Sequence, residues 1–259
     1  MGSLYDVPSL VLCAVLLAAL LLSIEAGHRL GCRAPETHWD ASGGAFLSLS
    51  SATMALLGLL LAFSFSMSVT RHDARQLVIL KEAKVIGTVY MRSDFLSAEQ
   101  SAPMKALLKS YVDQRLAYHS ANHDDPALPE VRKQTDTLQR QLWAIAAMAD
   151  NYREPKAVQL GLLSSAVNDM SDAASEAQFA RDDHVPPAVI WLLFVVTLVS
   201  GAMAGYAFGA RRQRNWLAFA GFAVMIVIVV YTILDLDRPL RGLIQVDQAP
   251  MLSLKAGMR

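Results

Sequence analysis

Eight residues along one apolar segment combine the side-chain types that an ion path needs. At about 100° per residue, as in an α-helix, they share one face that passes from large apolar groups through hydroxyls to lysines. They are Leu59, Phe63, Ser66, Thr70, Asp73, Leu77, Lys81 and Lys84. Because apolar groups can close a pore and lysines attract anions, the order predicts a path for an anion such as chloride. Its predicted parts are a neck (Leu59, Phe63), a lining (Ser66, Thr70) and a vestibule (Lys81, Lys84). The alternative for the lysines is an ordinary solvated helix face.

Small and hydroxyl residues are unusually frequent in the same segment. They are Ser48, Ser50, Ser51, Thr53, Gly58, Ser64, Ser66 and Ser68. One interpretation is close helix packing, in which small residues let backbones approach and hydroxyls bond to neighbouring carbonyls. The other is a wetted pore face. Composition favours packing and the helical face favours the pore, so both interpretations stay open.

A group of charged residues is predicted to form a network at one membrane face. Its members are Arg71, Arg75, Glu82, Asp235, Asp237 and Arg238. Because these helix ends should meet at the same surface, Asp235 or Asp237 is predicted to pair with Arg71 or Arg75. The alternative is a helix stop, in which Asp237 and Arg238 neutralise each other and the following proline ends the helix.

Two groups of histidine and aspartate residues resemble metal-ligand patterns. They are His119, His123, Asp124 and Asp125, and Asp182, Asp183 and His184. The first has the i, i+4 spacing of two ligands on one helical face, but it falls at a predicted loop, where these residue types are common. We therefore predict no metal site. The chain has no nucleophile elbow and no HExxH motif, so we predict no catalytic residues, no cofactor and no enzymatic activity.

Composition and apolar runs place these residues in a membrane protein. Hydrophobic residues make up 54% of the 259 residues, and 23 Lys and Arg balance 23 Asp and Glu. The zero net charge gives no electrostatic basis for binding nucleic acid, and the hydrophobic content excludes disorder. Four runs without acidic or basic residues approach the roughly 20 residues that cross a bilayer. They cover about 8–24, 43–69, 187–210 and 216–234. None carries a central ionisable group, which argues against an ion-coupled pump.

The charge distribution gives an expected orientation. The first run follows Asp6 and no basic residue, so we expect a retained helix rather than a signal peptide. Four spans put both termini and the segment 70–186 on the same side. Lys and Arg are more frequent there, although Arg211, Arg212 and Arg214 cluster on the other side. We predict a multi-pass protein of the cell inner membrane with the large domain and both termini in the cytoplasm.

The segment 70–186 has helical periodicity, so the predicted fold is all-α, with four transmembrane helices and a helical extramembrane bundle. The second span is predicted to continue unbroken to about Phe95, because no proline or glycine interrupts its polar part before Gly87. Three more helices are predicted, starting near Pro103, at Glu130 and after Pro155. The last of these has a predicted apolar stripe of Val158, Leu162, Ala166 and Ala173.

The predicted domain organisation has four parts. Residues 1–69 form the first transmembrane pair and 70–186 the helical bundle. Residues 187–234 form the second transmembrane pair, and 235–259 form a C-terminal tail.

Two stretches resemble a known family. They are LLGLLLAFSFSMSVTRHDARQLVILKEAKVIGTVYMRSDFL, from Leu56 to Leu96, and DLDRPLRGLIQV, from Asp235 to Val246. They are similar to the uncharacterised bestrophin-like membrane proteins of bacteria, and the likeness covers nearly the whole chain. That family is distantly similar to bestrophins, which are pentameric anion channels whose second helix lines the pore. The resemblance therefore implies a homo-oligomer, a pentamer, with the second helix at its centre.

The resemblance also implies positions for the neck. Bestrophins carry an apolar neck just before a Val-Thr-Arg step, which is matched here at residues 69–71 and puts neck positions at Ala55, Leu59 and Phe63. Ala55 is too small to constrict a pore much. His72 stands where bestrophins have Trp, and the run of acids that forms their calcium clasp is missing after the fourth span. Calcium gating is therefore not implied.

The resemblance and the helical face agree on Leu59, Phe63, Ser66 and Thr70. We therefore expect a bestrophin-like anion channel, in contact with membrane lipid and without a nucleic-acid partner. The alternative that the residues leave open is a non-conducting four-span scaffold or signalling adaptor whose helical domain docks a partner.

Overall fold

The structure, a computed structural model, describes residues 7–122, 125–149, 157–238 and 244–258. Within these ranges the regular structure is helical and contains no strand. The α-helices are α1 (Ser9–Arg33), α2 (Glu36–Arg92), α3 (Ala98–Ser120), α4 (Leu128–Ala149), α5 (Ala157–Asp182), α6 (Pro187–Ala210), α7 (Trp216–Leu236) and α8 (Ala249–Gly257). The predicted all-α class is confirmed.

Four helical stretches are long and apolar enough to cross a membrane. They are Ser9–Arg33, Gly43–Phe95, Ala157–Ala210 and Trp216–Leu236. The predicted unbroken second helix is also found, since α2 runs 57 residues to Arg92 and a single 3-10 turn, Ser93–Phe95, follows it. One rigid element therefore carries both the apolar residues and the lysines of the predicted ion path.

Three details of the helical segment differ from the prediction. α3 begins at Ala98 rather than near Pro103, which lies in its second turn. The predicted α5 stripe is partly wrong, because Val158 and Leu162 are exposed. The buried face instead includes Leu160, Leu163, Val167 and Met170, whose i, i+3, i+7, i+10 spacing is visible in the sequence. α8 lies in the segment that we described only as a tail, although its proline at a first-turn position is a helix-start signal.

Chain contacts divide the protein into two compact units. The membrane unit comprises Met1–Thr70 and His184–Arg238, and the helical unit comprises Arg71–Asp183 and Pro239–Arg259. α2 contributes to both. The apolar core of the membrane unit combines residues of α1, α2, α6 and α7. The core of the helical unit combines residues of α2, α3, α4 and α5, together with Met251 and Met258 near the C-terminus.

Glycines allow α1 and α6 to pack with their backbones in contact. They are Gly27 and Gly31 on α1 and Gly201, Gly205 and Gly209 on α6. A Cβ on Gly205 would meet the Ile24 carbonyl oxygen, and a Cβ on Gly27 would meet the Ala202 carbonyl oxygen, both well inside van der Waals contact. Small residues at four-residue spacing favour such approach in membranes, where lipid removes the hydrophobic drive for association. We did not predict this interface, although the spacing is visible in the sequence.

We expect Gly205→Ala to lower the free energy of unfolding by about 1–3 kcal/mol, because α1 and α6 must separate to admit one methyl group. The matched control is Gly221→Ala on α7, where no atom lies within 4 Å of the added Cβ. Thermal unfolding of the purified protein in detergent measures both. Equal midpoints for the two variants would show that the close approach does not determine stability.

Candidate functional site

The predicted neck residues are exposed on the single chain. Leu59 is 53% exposed and Phe63 is 63% exposed, whereas Leu57 and Leu61, on the other side of α2, are buried. In the most apolar 18-residue window of α2 only 11% of residues are buried, against 33% in each of the other three spans. α2 therefore presents an apolar face that the rest of its own chain leaves uncovered.

The predicted lining residues continue this exposed face. Ser66 and Thr70 are exposed, and the Thr70 hydroxyl donates to the Ser66 carbonyl at 2.9 Å. Such a bond satisfies a hydroxyl within its own helix and leaves the oxygen lone pairs available on the outside. The predicted lining thus offers small hydroxyl groups one to three turns from the neck.

The small residues of α2 divide between the two interpretations. Ser50, Ser64 and Ser68 are buried, as helix packing requires. Gly58 has no neighbouring atom within 4 Å of an added Cβ, and Ser66 is exposed. Packing therefore explains the small residues on one side of α2. It does not explain Gly58 and Ser66, which no other part of the single chain covers.

The two lysines of the predicted vestibule differ in their partners. Lys81 Nζ lies 2.7 Å from the Glu176 carboxylate on α5, with both side chains about half exposed. Among the residues that the structure describes, no carboxylate lies within ion-pair distance of the exposed Lys84. Lys84 is therefore the stronger source of positive potential on this part of α2.

Glu82, which the sequence placed in a membrane-surface network, is buried within the helical unit. Its carboxylate accepts hydrogen bonds from Arg115 Nε, from Arg115 Nη2 at 3.2 Å and from His119 Nε2 at 2.8 Å. Glu82 is 0% exposed and both partners on α3 are almost completely buried. A buried carboxylate requires such complete pairing, so this cluster holds α2 against α3.

The sequence analysis missed Arg115 and the neighbouring Tyr118. Arg115 follows Leu108, Tyr111 and Val112 at helical spacing, so it is a cation in an apolar stripe, which was the available signal. Its guanidinium lies 4.4 Å from the centre of the Tyr118 ring. Burial lowers the pKa of His119, and the charges of Arg115 and Arg181 lower it further, so His119 is neutral at pH 7 and donates through Nε2.

Arg71 and Arg75 bind the end of α5. Arg71 Nε lies 3.1 Å from the Asp183 carboxylate. Arg75 is buried and donates to the carbonyl oxygens of Ala180, at 3.0 Å, and Asp183, at 2.6 Å. Carbonyls at a helix C-terminus lack partners within the helix and attract cations, so these arginines fix α5 to α2.

Asp237 holds the segment that leads into α6. Its carboxylate accepts from the backbone N–H of Val185 at 3.1 and 3.2 Å, and His184 Nδ1 lies 3.1 Å from its carbonyl oxygen. Arg238 donates to the carbonyl oxygen of Val7. Asp235 is also buried. A pairing of these acids with Arg71 or Arg75 would join the two units and stays a prediction.

The contacts described for members of the predicted network lie within one unit or the other. Of the histidine groups, His119 contacts Glu82 and His184 contacts Asp237, while His123 and Asp124 lie outside the described residues. Across the described ranges, no three His, Cys, Asp or Glu side chains are placed to hold a metal ion.

We expect Glu82→Gln to lower the free energy of unfolding by about 3–5 kcal/mol, because Arg115 would stay buried without its countercharge. The control, Glu176→Gln, removes a half-exposed partner of Lys81 and should change stability by no more than about 1 kcal/mol. Chemical unfolding of both variants measures the difference. Similar losses would contradict a structural role for the buried pair.

Comparison with known proteins places this arrangement among related folds. A bacterial bestrophin homologue from Klebsiella pneumoniae, crystallised with a single substitution, superimposes with a TM-score of 0.65 at 14% identity, over 94% of this chain and 97% of that one. A second variant of the homologue gives 0.65 at 12% identity, over 95% and 96% of the two chains. At this identity the likeness shows the fold. No curated protein matches the chain.

The family comparison covers almost the entire sequence. The Bestrophin-like domain family matches residues 10–251, from the start of α1 to within α8. The match includes all four membrane-spanning helices and the helical unit. The chain therefore belongs to the bestrophin-like family.

Proposed function

We propose that the chain assembles as a ring-shaped homo-oligomer, a pentamer, that conducts chloride along an axis surrounded by its α2 helices. Leu59 and Phe63 form the neck, Ser66 and Thr70 line the path, and Lys84 with Lys81 forms the vestibule. Membership of a family of anion channels supports the general function.

The observation that carries the proposal is the uninterrupted exposure of one face of α2. All eight residues of the predicted face, from Leu59 to Lys84, are exposed on the single chain. Large apolar side chains such as Leu59, Phe63 and Leu77 are included. Lipid can cover Leu59 and Phe63 in the membrane span, but Leu77 lies in the helical unit, where an exposed apolar side chain is typical of a surface that another molecule covers. In a ring of identical chains, the same face of each α2 would surround the axis. Equivalent residues would then form successive rings along the path.

The side-chain chemistry of this face fits the control of an anion. Leucine and phenylalanine give a ring that water and ions enter only at a free-energy cost, so it limits flux by dewetting. Lys84, without a described carboxylate partner, attracts anions from solution, while the charge of Lys81 is partly offset by Glu176. The proposal therefore assigns ion preference mainly to Lys84.

We further propose the cell inner membrane as the location, with the helical unit and both termini in the cytoplasm. The four apolar helical stretches support a membrane protein. The excess of Lys and Arg on the predicted inner side supports the orientation.

We expect Phe63→Ala to raise chloride flux in proteoliposomes by about two- to tenfold, because it widens and wets the narrowest apolar ring. Phe65→Ala is the matched control, since it makes the same change two residues away on a different side of α2, at a residue that is also exposed. Chloride-selective electrode recordings measure the flux. Absence of flux from the wild type and both variants would favour the non-conducting scaffold. Equal increases in flux for both variants would show that Phe63 does not form the neck.

We expect Lys84→Glu to lower the permeability of chloride relative to potassium by at least about twofold, because it reverses a charge in the vestibule. Lys109→Glu makes the same change at an exposed residue of α3 and should leave the ratio unchanged. Reversal potentials in a salt gradient across planar bilayers measure the ratio. A shift of equal size in both variants would indicate a general surface-charge effect.

A further inference from the structure

A small cavity with cationic walls lies inside the helical unit, between α2, α3 and α5. Its volume is about 40 Å³. The polar side chains around it are Arg75, His119 and Arg181, and the other lining residues are Val78, Ile79, Ala177, Ala180 and Val246. The lining thus contains two guanidinium groups and an imidazole but no carboxylate.

Arg181 is the least compensated of these cations. It is 9% exposed, and its Nη1 and Nη2 donate to the carbonyl oxygens of Tyr118 and Ala121, both at 2.6 Å. Both acceptors are neutral. In the part of the chain that the structure describes, no carboxylate lies within 4 Å of the Arg181 guanidinium, and the Tyr118 ring at 4.7 Å gives only partial compensation. A buried cation without a nearby anion is unfavourable, so the site favours an added negative charge.

Two acids of the helical unit are already engaged elsewhere. Glu82 already accepts hydrogen bonds from Arg115 and His119. Asp183, beyond the end of α5, carries its carboxylate toward Arg71. Neither of these two carboxylates therefore offsets the charge of Arg181.

We propose that this cavity binds a single halide ion, which is chloride under physiological conditions. The volume exceeds the roughly 10–15 Å³ that one water requires, so the cavity has room for a monatomic anion. A metal cation would face two guanidinium groups. A halide needs only donors and tolerates the apolar contacts of Val78, Ile79 and Ala177. The same chain would thus carry a structural halide site outside its pore.

Binding is coupled to the protonation of His119. The charged and titratable groups that face this ring are Glu82 and Arg75 from α2, Arg115 and Tyr118 on α3, and Arg181 from α5. The guanidinium groups disfavour a second proton on the ring while the cavity lacks an anion. A halide offsets their charge and raises the pKa of His119, so halide affinity rises as the pH falls into the range where His119 becomes protonated.

The halide site is separate from the proposed pore. Its lining residues belong to the helical unit, and none belongs to the exposed face of α2 that includes Phe63 and Lys84. The inference therefore holds whether or not the protein conducts ions, and binding measurements test it without any flux.

The direct test is diffraction from crystals of the full chain in which bromide replaces chloride. We expect an anomalous difference peak in the cavity beside the Arg181 guanidinium. Bromide found only elsewhere, or a cavity filled by water alone, would overturn the proposal.

A solution test uses the chloride dependence of the unfolding midpoint, with gluconate replacing chloride at constant ionic strength. A ligand of the folded state raises the midpoint in proportion to its affinity. Arg181→Gln should weaken chloride affinity about tenfold, because it removes the least compensated charge. Ala177→Val fills the cavity, leaves every charge in place and should abolish the chloride effect, which keeps the test valid if Arg181→Gln does not fold.

Matched variants separate the site from general charge effects. Arg140→Gln removes an exposed arginine from α4 and should retain the wild-type chloride response. His119→Gln should retain binding but lose the increase in affinity at low pH. A chloride response that Ala177→Val leaves unchanged would overturn the proposal.

Discussion

The hydrogen-bonded pairing of Glu82 with Arg115 and His119 is the interaction on which the arrangement of α2 depends. A carboxylate that is 0% exposed requires its partners, and both of them lie on α3. The pairing therefore fixes the rotation of α2 about its own axis within the helical unit. Lys81 and Lys84 point away from the side of α2 that carries Glu82. Both lysines are therefore exposed while Glu82 is buried.

The glycine contacts that join α1 to α6 have no counterpart on the exposed face of α2. Backbone contact between α1 and α6 depends on the glycines of both helices, and membrane packing of this kind needs no large side chain. α2 lacks an equivalent contact at Gly58, where an added Cβ would meet nothing. The buried serines Ser64 and Ser68 attach one side of α2 to its own unit, while Leu59 and Phe63 stay outside. α2 thus keeps an apolar surface that its own chain does not cover.

Sequence patterns predicted what depends on long runs and missed what depends on contacts between distant residues. Four apolar runs and an unbroken α2 follow from composition and from the absence of proline, and the structure contains both. The partner of Glu82 lies 33 residues away on another helix, so local periodicity could show Arg115 only as an unexplained cation. The buried face of α5 was visible as the helical spacing of Leu160, Leu163 and Val167, but the predicted stripe followed the neighbouring face. The ion pair between Arg71 and Asp183 depends on where α5 lies, which sequence spacing does not specify.

Although the net charge is zero, the cations lie in two different environments. Lysines on α2 remain exposed, where solvent screens them and where they can act on ions at a distance. Arginines near the end of α5 are buried, and their planar guanidinium groups bind backbone carbonyls that a compact ammonium group could not span. Carbonyl oxygens satisfy the N–H donors but carry no full negative charge. The positive charge of buried Arg181 is therefore not neutralised by its hydrogen bonds. The two proposals for anions therefore rest on different physical grounds: exposed lysines act at a distance, and a buried guanidinium lacks a nearby anion.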